Sequence, residues 1–324
     1  MKMKKIKYIG LFTLLATFSL GSCDDDFLAE KQDYNGVNEE VFTEPLVAQA
    51  YVDYVYGLFL PGDNAVTSTW DLAVAGSDDF AQTTEELAGE VNWNKPWATV
   101  NPAQAHCLPY LGSRMTSSIA NNTWTRLKQI NIFLNEVDKY GMDEPTKNKL
   151  KGQLYFWRAW QYFDMVKLYG GVPLVLIPQN PILDETSNNQ VPRSSTSACI
   201  DQIVADLDMA KSLLPVKWTG ADYGRIGGAA AAAFKGRVLL TWASPLFNPT
   251  DDTQRWQRAY DANLEAKTLL ETNGYGLEAN WGTMWTKDGS TNKEAVIAYA
   301  YNTVITQNLE RNNGSERACR SKET

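Results

Sequence analysis

The chain has 324 residues, 44% of them hydrophobic and 21% charged, which describes a globular protein with a substantial core and excludes a disordered one. Its net charge is −8, and taking away the four lysines of the leader leaves 26 basic against 38 acidic residues, or −12, a balance that repels phosphate backbones and argues against nucleic-acid binding or docking on anionic lipid. A single histidine, His106, rules out histidine triads and histidine-rich zinc sites, while 11 tryptophans and 15 tyrosines supply flat amphipathic surface for a core or for ligand stacking.

Residues 1–22 combine a basic start, an apolar run from Tyr8 to Leu20 and a small-residue end at Gly21-Ser22. An apolar run of about a dozen residues falls short of the ~20 that span a bilayer, so the segment reads as a signal peptide. Leu20-Gly21-Ser22-Cys23 resembles a lipobox, which makes Cys23 the lipidation site and more than one acyl chain the membrane anchor. Residues 23–40 then read as a lipidated cysteine followed by an acidic tether that begins Asp24-Asp25-Asp26.

Phe42 to Leu60 is predicted as a first helix, with Val47, Tyr51, Tyr54, Val55 and Leu58 near one face and Pro61-Gly62 ending it. Periodicity then fails from Asp63 to Pro109, where tryptophan and asparagine accumulate. Loops of this length inside a compact domain are functional or disordered, and the three tryptophans argue against disorder. Thr123 to Tyr140 is the second predicted helix, carrying Trp124, Leu127, Ile130, Ile132, Leu134 and Val137.

The third predicted helix follows a Gly141–Pro145 turn and is unusual. Leu150, Leu154 and Trp157 make one apolar stripe, and Phe156, Trp160 and Phe163 make a second, so two sides must be covered. Pro145 suits its first turn, and Gly170-Gly171 suits a left-handed stop before an extended Val172–Ile177 run. Beyond a polar linker, helices are predicted over Ser195–Leu214, Ala229–Ala243 and Trp256–Glu271, and the alternation of Glu294–Tyr301 predicts a strand. The tail from Asn308 to Thr324 has no apolar period. Six helices with short connections predict a mainly α protein, a tetratricopeptide-like α-superhelix with long irregular loops and a few short strands. Ala159-x3-Phe163 and Ala230-x3-Phe234 match the small/aromatic pair that lets the helices of such a repeat approach closely.

The order Arg158-Ala159, Tyr162-Phe163, Val166 and Leu168-Tyr169-Gly170-Gly171-Val172-Pro173-Leu174 resembles the signature helix and exit turn of the SusD/RagB family of Bacteroidetes outer-membrane nutrient-binding lipoproteins. Arg193-Ser194-Ser195, Ile203-x2-Asp206-Leu207, Gly224-Arg225, and Ala243-Ser244-Pro245-Leu246-Phe247-Asn248-Pro249 continue the resemblance in the family's order. Asp24-Asp25-Asp26 is similar to the acidic signal that carries such lipoproteins to the cell surface. The resemblance implies a helical scaffold over a TonB-dependent, SusC-like outer-membrane transporter, capturing glycan or, in some relatives, peptide, without a cofactor or metal. Such proteins continue well beyond this length, so residues 41–324 are expected to be a SusD-like α-helical domain incomplete at its C-terminus.

A surface sugar site needs flat rings to stack on a pyranose face and planar amides or carboxylates to pair with hydroxyls. Val91-Asn92-Trp93-Asn94-Lys95-Pro96-Trp97 supplies both on a predicted loop, and Trp70 and the pair Asp78-Asp79 share that region. Trp70, Asp78, Trp93, Asn94 and Trp97 are therefore the candidate ligand contacts, with core packing the alternative for each tryptophan. Arg158 is expected to be structural, a buried guanidinium paired to a carboxylate or carbonyls. Trp157, Trp160, Phe163, Gly170, Gly171 and Pro173 are structural candidates too, and Trp281 and Trp285 are expected in the core. His106-Cys107 lacks the geometry of a catalytic dyad. With Cys23 lipidated, Cys107, Cys199 and Cys319 are an odd set that defines no disulfide framework. The leading function is non-catalytic glycan capture. A glycan-active hydrolase, needing two carboxylates about 5–10 Å apart, and a ligand-free structural repeat protein are the alternatives.

Overall fold

The computed structural model describes residues 37, 39–59, 122–179, 190–284 and 287–298. Among these residues the architecture is helical, with no strand. The leader, Cys23, the Asp24-Asp25-Asp26 run, the predicted 63–109 loop and the tail from Asn308 lie outside the described residues, whereas Glu40, the last residue of the expected tether, is helical.

The predicted first helix is two: α1 (Glu40–Thr43) and α2 (Pro45–Phe59). Glu44 separates them at φ −100°, ψ 113°, because the ring of the following Pro45 disfavours helical geometry in the residue before it. The buried face of α2 also differs from the expected one. Ala48, Val52, Val55, Tyr56 and Leu58 point inward, whereas Val47 and Tyr54 are exposed. Tyr56 wins the interior position over Tyr54 because its hydroxyl is satisfied there, donating to Gln153 Oε1 (3.0 Å) and accepting from Ile226 N (2.9 Å).

Helix α3 (Thr123–Glu136) starts at an Asn122 cap that accepts from Thr125 N (2.9 Å), and a 3-10 turn at Val137–Lys139 ends it. Helix α4 (Glu144–Tyr169) starts at an Asp143 cap with Pro145 in its first turn, and stops at Gly170, whose φ of 69° favours glycine. Helix α5 (Thr196–Leu213) is capped by Ser195. Helix α6 (Gly228–Ala243) has no side-chain cap; its first N–H groups instead donate to the carbonyls of Pro215 and Val216, just past α5 (2.8 and 3.1 Å). Helix α7 (Thr253–Thr272) is capped by Asp252, and a short α8 (Trp281–Met284) follows.

Each helix packs on its neighbours in the chain: α2 and α3 on α4, α4 on α5, α5 on α6 and α6 on α7. The two stripes of α4 are covered on two sides, as their spacing requires. Trp157 stacks on Phe59 of α2 (ring centroids 4.6 Å apart), and Phe156, Trp160 and Phe163 surround Phe234 of α6 at 5.5, 4.7 and 5.5 Å. Ala159 and Ala230 are fully buried beside these aromatic contacts. Between α6 and α7 the fit is closest at Gly236, where a Cβ would sit 2.4 Å from Asn263 Oδ1.

The extended Val172–Ile177 run joins no sheet among the described residues, and the predicted Glu294–Tyr301 strand is corrected. Val172–Ile177 runs along the helices without a ladder, making one antiparallel bridge between Pro173 and Arg193. Side chains take the hydrogen bonds that a partner strand would have taken. Tyr162 Oη donates to Val175 O and accepts from Val175 N (both 2.8 Å), Asn131 Nδ2 donates to Val175 O (2.8 Å) and Asn135 Nδ2 to Leu176 O (3.2 Å). Of the predicted Glu294–Tyr301 strand, the described part to Ala298 forms turns. Local acceptors hold its N–H groups: Asn292 Oδ1 accepts from Glu294 N (2.9 Å), Asn292 O from Ala295 N (3.3 Å) and Glu294 O from Val296 N (3.0 Å). Trp281 is not in the core but 74% exposed, on the short α8. Trp285 lies outside the described residues.

Candidate functional site

The polypeptide leaves α2 at Phe59 and enters α3 at Asn122, and the side chains at these two points meet. The Arg126 guanidinium, in the first turn of α3, lies 5.0 Å from the centroid of the Phe59 ring, and its Nη1 donates to Gln161 Oε1 of α4 (3.3 Å). Phe59 in turn lies on Trp157, which is flanked edge-on by Tyr56 at 5.1 Å and Trp160 at 6.0 Å. Phe59, where the described part of α2 ends, and Arg126, in the first turn of α3, are thereby held on one aromatic platform built by α2 and α4. Trp70, Asp78, Trp93, Asn94 and Trp97, the candidate ligand contacts, all belong to the 60–121 segment and lie outside the described residues, as do Asp79, His106 and Cys107.

Beneath the platform α4 is fixed by a buried polar network. Arg158 Nε and Nη2 donate to Asp206 Oδ2 and Oδ1 of α5 (2.8 and 2.7 Å), and Nη1 donates to Asn131 Oδ1 of α3 (3.0 Å). Gln202 Nε2 donates to the same Asp206 carboxylate (2.9 Å). Burial pushes the Asp206 carboxyl above the usual carboxylate range, against the pull of Arg158 and then Gln202. One guanidinium thus ties three helices together. Its charge is spent inside the scaffold, which leaves it structural.

The exit of α4 is tied to the start of α5. Arg193 donates to the carbonyls of Gly171 and Tyr169, and Gly171 packs so tightly that a Cβ there would lie 2.0 Å from Ser194 O. Cys199 is buried and free, in weak hydrogen bonds with the Val172 backbone. Among the described residues, no group of three or more His, Cys, Asp or Glu could hold a metal ion.

A concavity without a signal in the sequence is a shallow cleft of about 30 Å³ that opens to solvent, lined among others by Lys217, Trp218, Tyr223, Tyr275 and Gly289. Its composition carries no motif: the residues come from four separate turns, and only tertiary packing assembles them. Asp206 did carry a signal, since it lies between Ile203 and Leu207 on a stripe that is otherwise apolar and buried.

With this geometry described, comparison with known proteins defines the class. A family model described as "Starch-binding associating with outer membrane", SusD-like_3, matches residues 26–240. The chain belongs to this SusD-like family. SusD-like protein P2 of Formosa agariphila is 30% identical over 101 residues, which are 31% of this chain and 19% of that protein. Among solved structures, a SusD-like protein from Bacteroides fragilis superposes with a TM-score of 0.61 at 22% identity, over 82% of this chain and 46% of that one. A laminarin-binding SusD-like protein gives 0.54 at 19% identity (80% and 51%). A SusD-like carbohydrate-binding protein from Bacteroides fragilis gives 0.57 at 17% identity (84% and 49%). The chain spans about half the length of these solved relatives and a smaller share of the curated one.

Proposed function

We propose that this chain is a lipid-anchored, surface-exposed glycan-binding protein of the outer membrane. It captures oligosaccharide on residues 60–121 without altering it, and passes it to a TonB-dependent, SusC-like transporter. Cys23 carries the anchor and Asp24-Asp25-Asp26 begins the tether. Trp70, Trp93 and Trp97 offer rings for the apolar faces of pyranoses, while Asp78 and Asn94 pair with hydroxyls.

The observation that carries this reading is the family match combined with the meeting of Phe59 and Arg126 at the base of that segment. A helical stack that returns the chain to its point of departure suits a scaffold presenting one binding segment. The names of two solved relatives, one laminarin-binding and one carbohydrate-binding, agree with glycan as the ligand.

The test is affinity electrophoresis and calorimetry of the full chain against a panel of bacterial, algal and plant glycans. At least one glycan is expected to bind, and the Trp93→Ala, Trp97→Ala double variant is expected to lose about 1–3 kcal/mol per stacked ring, a loss of tenfold or more. Unchanged affinity in a folded double variant rejects the assignment of these residues. Release of reducing ends from the bound glycan rejects non-catalytic capture in favour of a hydrolase.

A further inference from the structure

We infer that the cleft between Lys217, Tyr223 and Tyr275 binds the singly charged acidic group of a sugar, a carboxylate or a sulfate ester. It stands apart from residues 60–121 and rests on the proposed function only in taking the carrier of that group to be a sugar.

Three observations point to an oxyanion. The Lys217 ammonium projects over the Tyr275 ring, 4.6 Å from its centroid, and among the described residues it has no carboxylate partner. By contrast, Lys211 of α5 is paired with Glu265 and Lys235 of α6 with Asp208. The Tyr223 hydroxyl oxygen is buried and has no hydrogen-bond partner among the described residues. A buried donor left unsatisfied costs about 1–3 kcal/mol, which an acceptor entering the cleft would recover. Finally, a Cβ on Gly289 would come within 2.4 Å of Tyr223 Oη, so glycine leaves the notch in which that hydroxyl lies.

Two other polar side chains of the wall, Trp218 and Arg225, are committed elsewhere. Trp218 Nε1 donates to Ile226 O (2.8 Å), and Arg225 is divided between Asp53 (2.6 Å) and Asp222 (2.9 Å). They stiffen the cleft and leave Lys217 and Tyr223 to meet a ligand. Asp288 is the remaining charge near Tyr223; its carboxylate accepts from the N–H (2.8 Å) and hydroxyl (2.5 Å) of Ser290. The negative charge of Asp288, which acts on Tyr223, weighs against a dianion such as a phosphate monoester and favours a monoanion. The enclosed depth of the cleft, on the order of two water molecules, suits one acidic group with its ring on the open side.

The test titrates the full chain, followed by NMR or calorimetry, with glucuronate, glucose 6-sulfate, neutral glucose and inorganic sulfate. Binding of glucuronate, of glucose 6-sulfate or of both, with glucose at least about tenfold weaker, is expected, and the stronger of the two identifies the acidic group. Lys217→Gln is expected to weaken it about tenfold or more, as for loss of a charge-assisted hydrogen bond, and Tyr223→Phe severalfold. Gly289→Ala is expected to abolish it, and Trp93→Ala, Trp97→Ala to leave it unchanged. The inference is overturned if neither acidic sugar binds, if glucose binds equally well, or if inorganic sulfate binds as tightly as both sugars. It is also overturned if Lys217→Gln and Tyr223→Phe both keep full affinity with unchanged thermal unfolding, or if the tryptophan variant loses acidic-sugar binding. Loss of larger glycans alone in the tryptophan variant concerns the 60–121 segment and leaves the cleft standing.

Discussion

Arg158 of α4 faces Asp206 of α5 in a two-point pair, 2.8 and 2.7 Å, with both side chains buried. Burial withdraws both charges from solvent, so the pair is worth most when intact. Asp206→Ala leaves a buried guanidinium without its carboxylate and is expected to cost about 3–5 kcal/mol. The double change Arg158→Met, Asp206→Leu removes both charges and is expected to recover most of that loss. Urea unfolding followed by circular dichroism measures both variants, and an Asp206→Ala protein as stable as the parent contradicts the network as described.

Phe234 is the point at which α6 meets the second stripe of α4, touching Phe156, Trp160 and Phe163. Truncating it to alanine opens a cavity among three rings that cannot all collapse inward, at an expected cost of about 3–5 kcal/mol. Phe234→Leu keeps most of the volume and is expected to cost clearly less. The same denaturant curves compare the two, and equal destabilisation would mean that ring geometry matters more than volume.

Two glycines separate close approach from mere flexibility. Gly171→Ala drives a Cβ to 2.0 Å from the Ser194 carbonyl and must displace the α4–α5 connection, so a marked fall in thermal midpoint is expected. Gly57 lies within α2 with nothing within 4 Å of the added methyl. There, alanine is expected to stabilise by about 0.5–1 kcal/mol through the backbone entropy of the unfolded chain. Differential scanning calorimetry should move the two midpoints in opposite directions.

Three tyrosines are expected to resist ionisation while the protein is folded. Burial is the main reason that the pKa values of Tyr51, Tyr56 and Tyr162 are raised, and the hydroxyls of Tyr56 and Tyr162 are engaged as both donor and acceptor. In the unfolded chain they ionise near pH 10, as ordinary tyrosines do. Because the folded values are the higher ones, these groups contribute their stability in full below about pH 10 and lose it as pH rises further. Absorbance at 295 nm should show a late, cooperative step coincident with loss of helical circular dichroism. Smooth titration of every tyrosine with the helices intact would contradict the burial of these three.

The helices that were legible in the sequence are those whose signals are local. Asp143 with Pro145 marks a start, Gly170 marks a stop, and the two stripes between them specify two covered faces. What was illegible depends on partners far away in the chain. The choice between Tyr54 and Tyr56 for the inner face of α2 turns on hydrogen bonds to Gln153 and Ile226, which no spacing within α2 encodes. The alternation from Glu294 suits a strand, but alternation cannot supply a neighbouring edge, and acceptors on Asn292 and Glu294 take the N–H groups instead. Trp281 was placed inside on hydrophobicity alone and stands in solvent. Of the candidate sites, the Asp63–Pro109 stretch stands out by composition, whereas the Lys217–Tyr223 cleft exists only once four turns converge.

The meeting of Phe59 and Arg126 bears on how such a protein diversifies. A segment whose two anchor points adjoin can grow or shrink at little thermodynamic cost, about 0.6 kcal/mol for each doubling of its length. Whole inserts can then be exchanged at one seam while the helices beneath retain their sequence. Phe59 and Asn122 mark the junctions at which a recombinant chimera would be spliced.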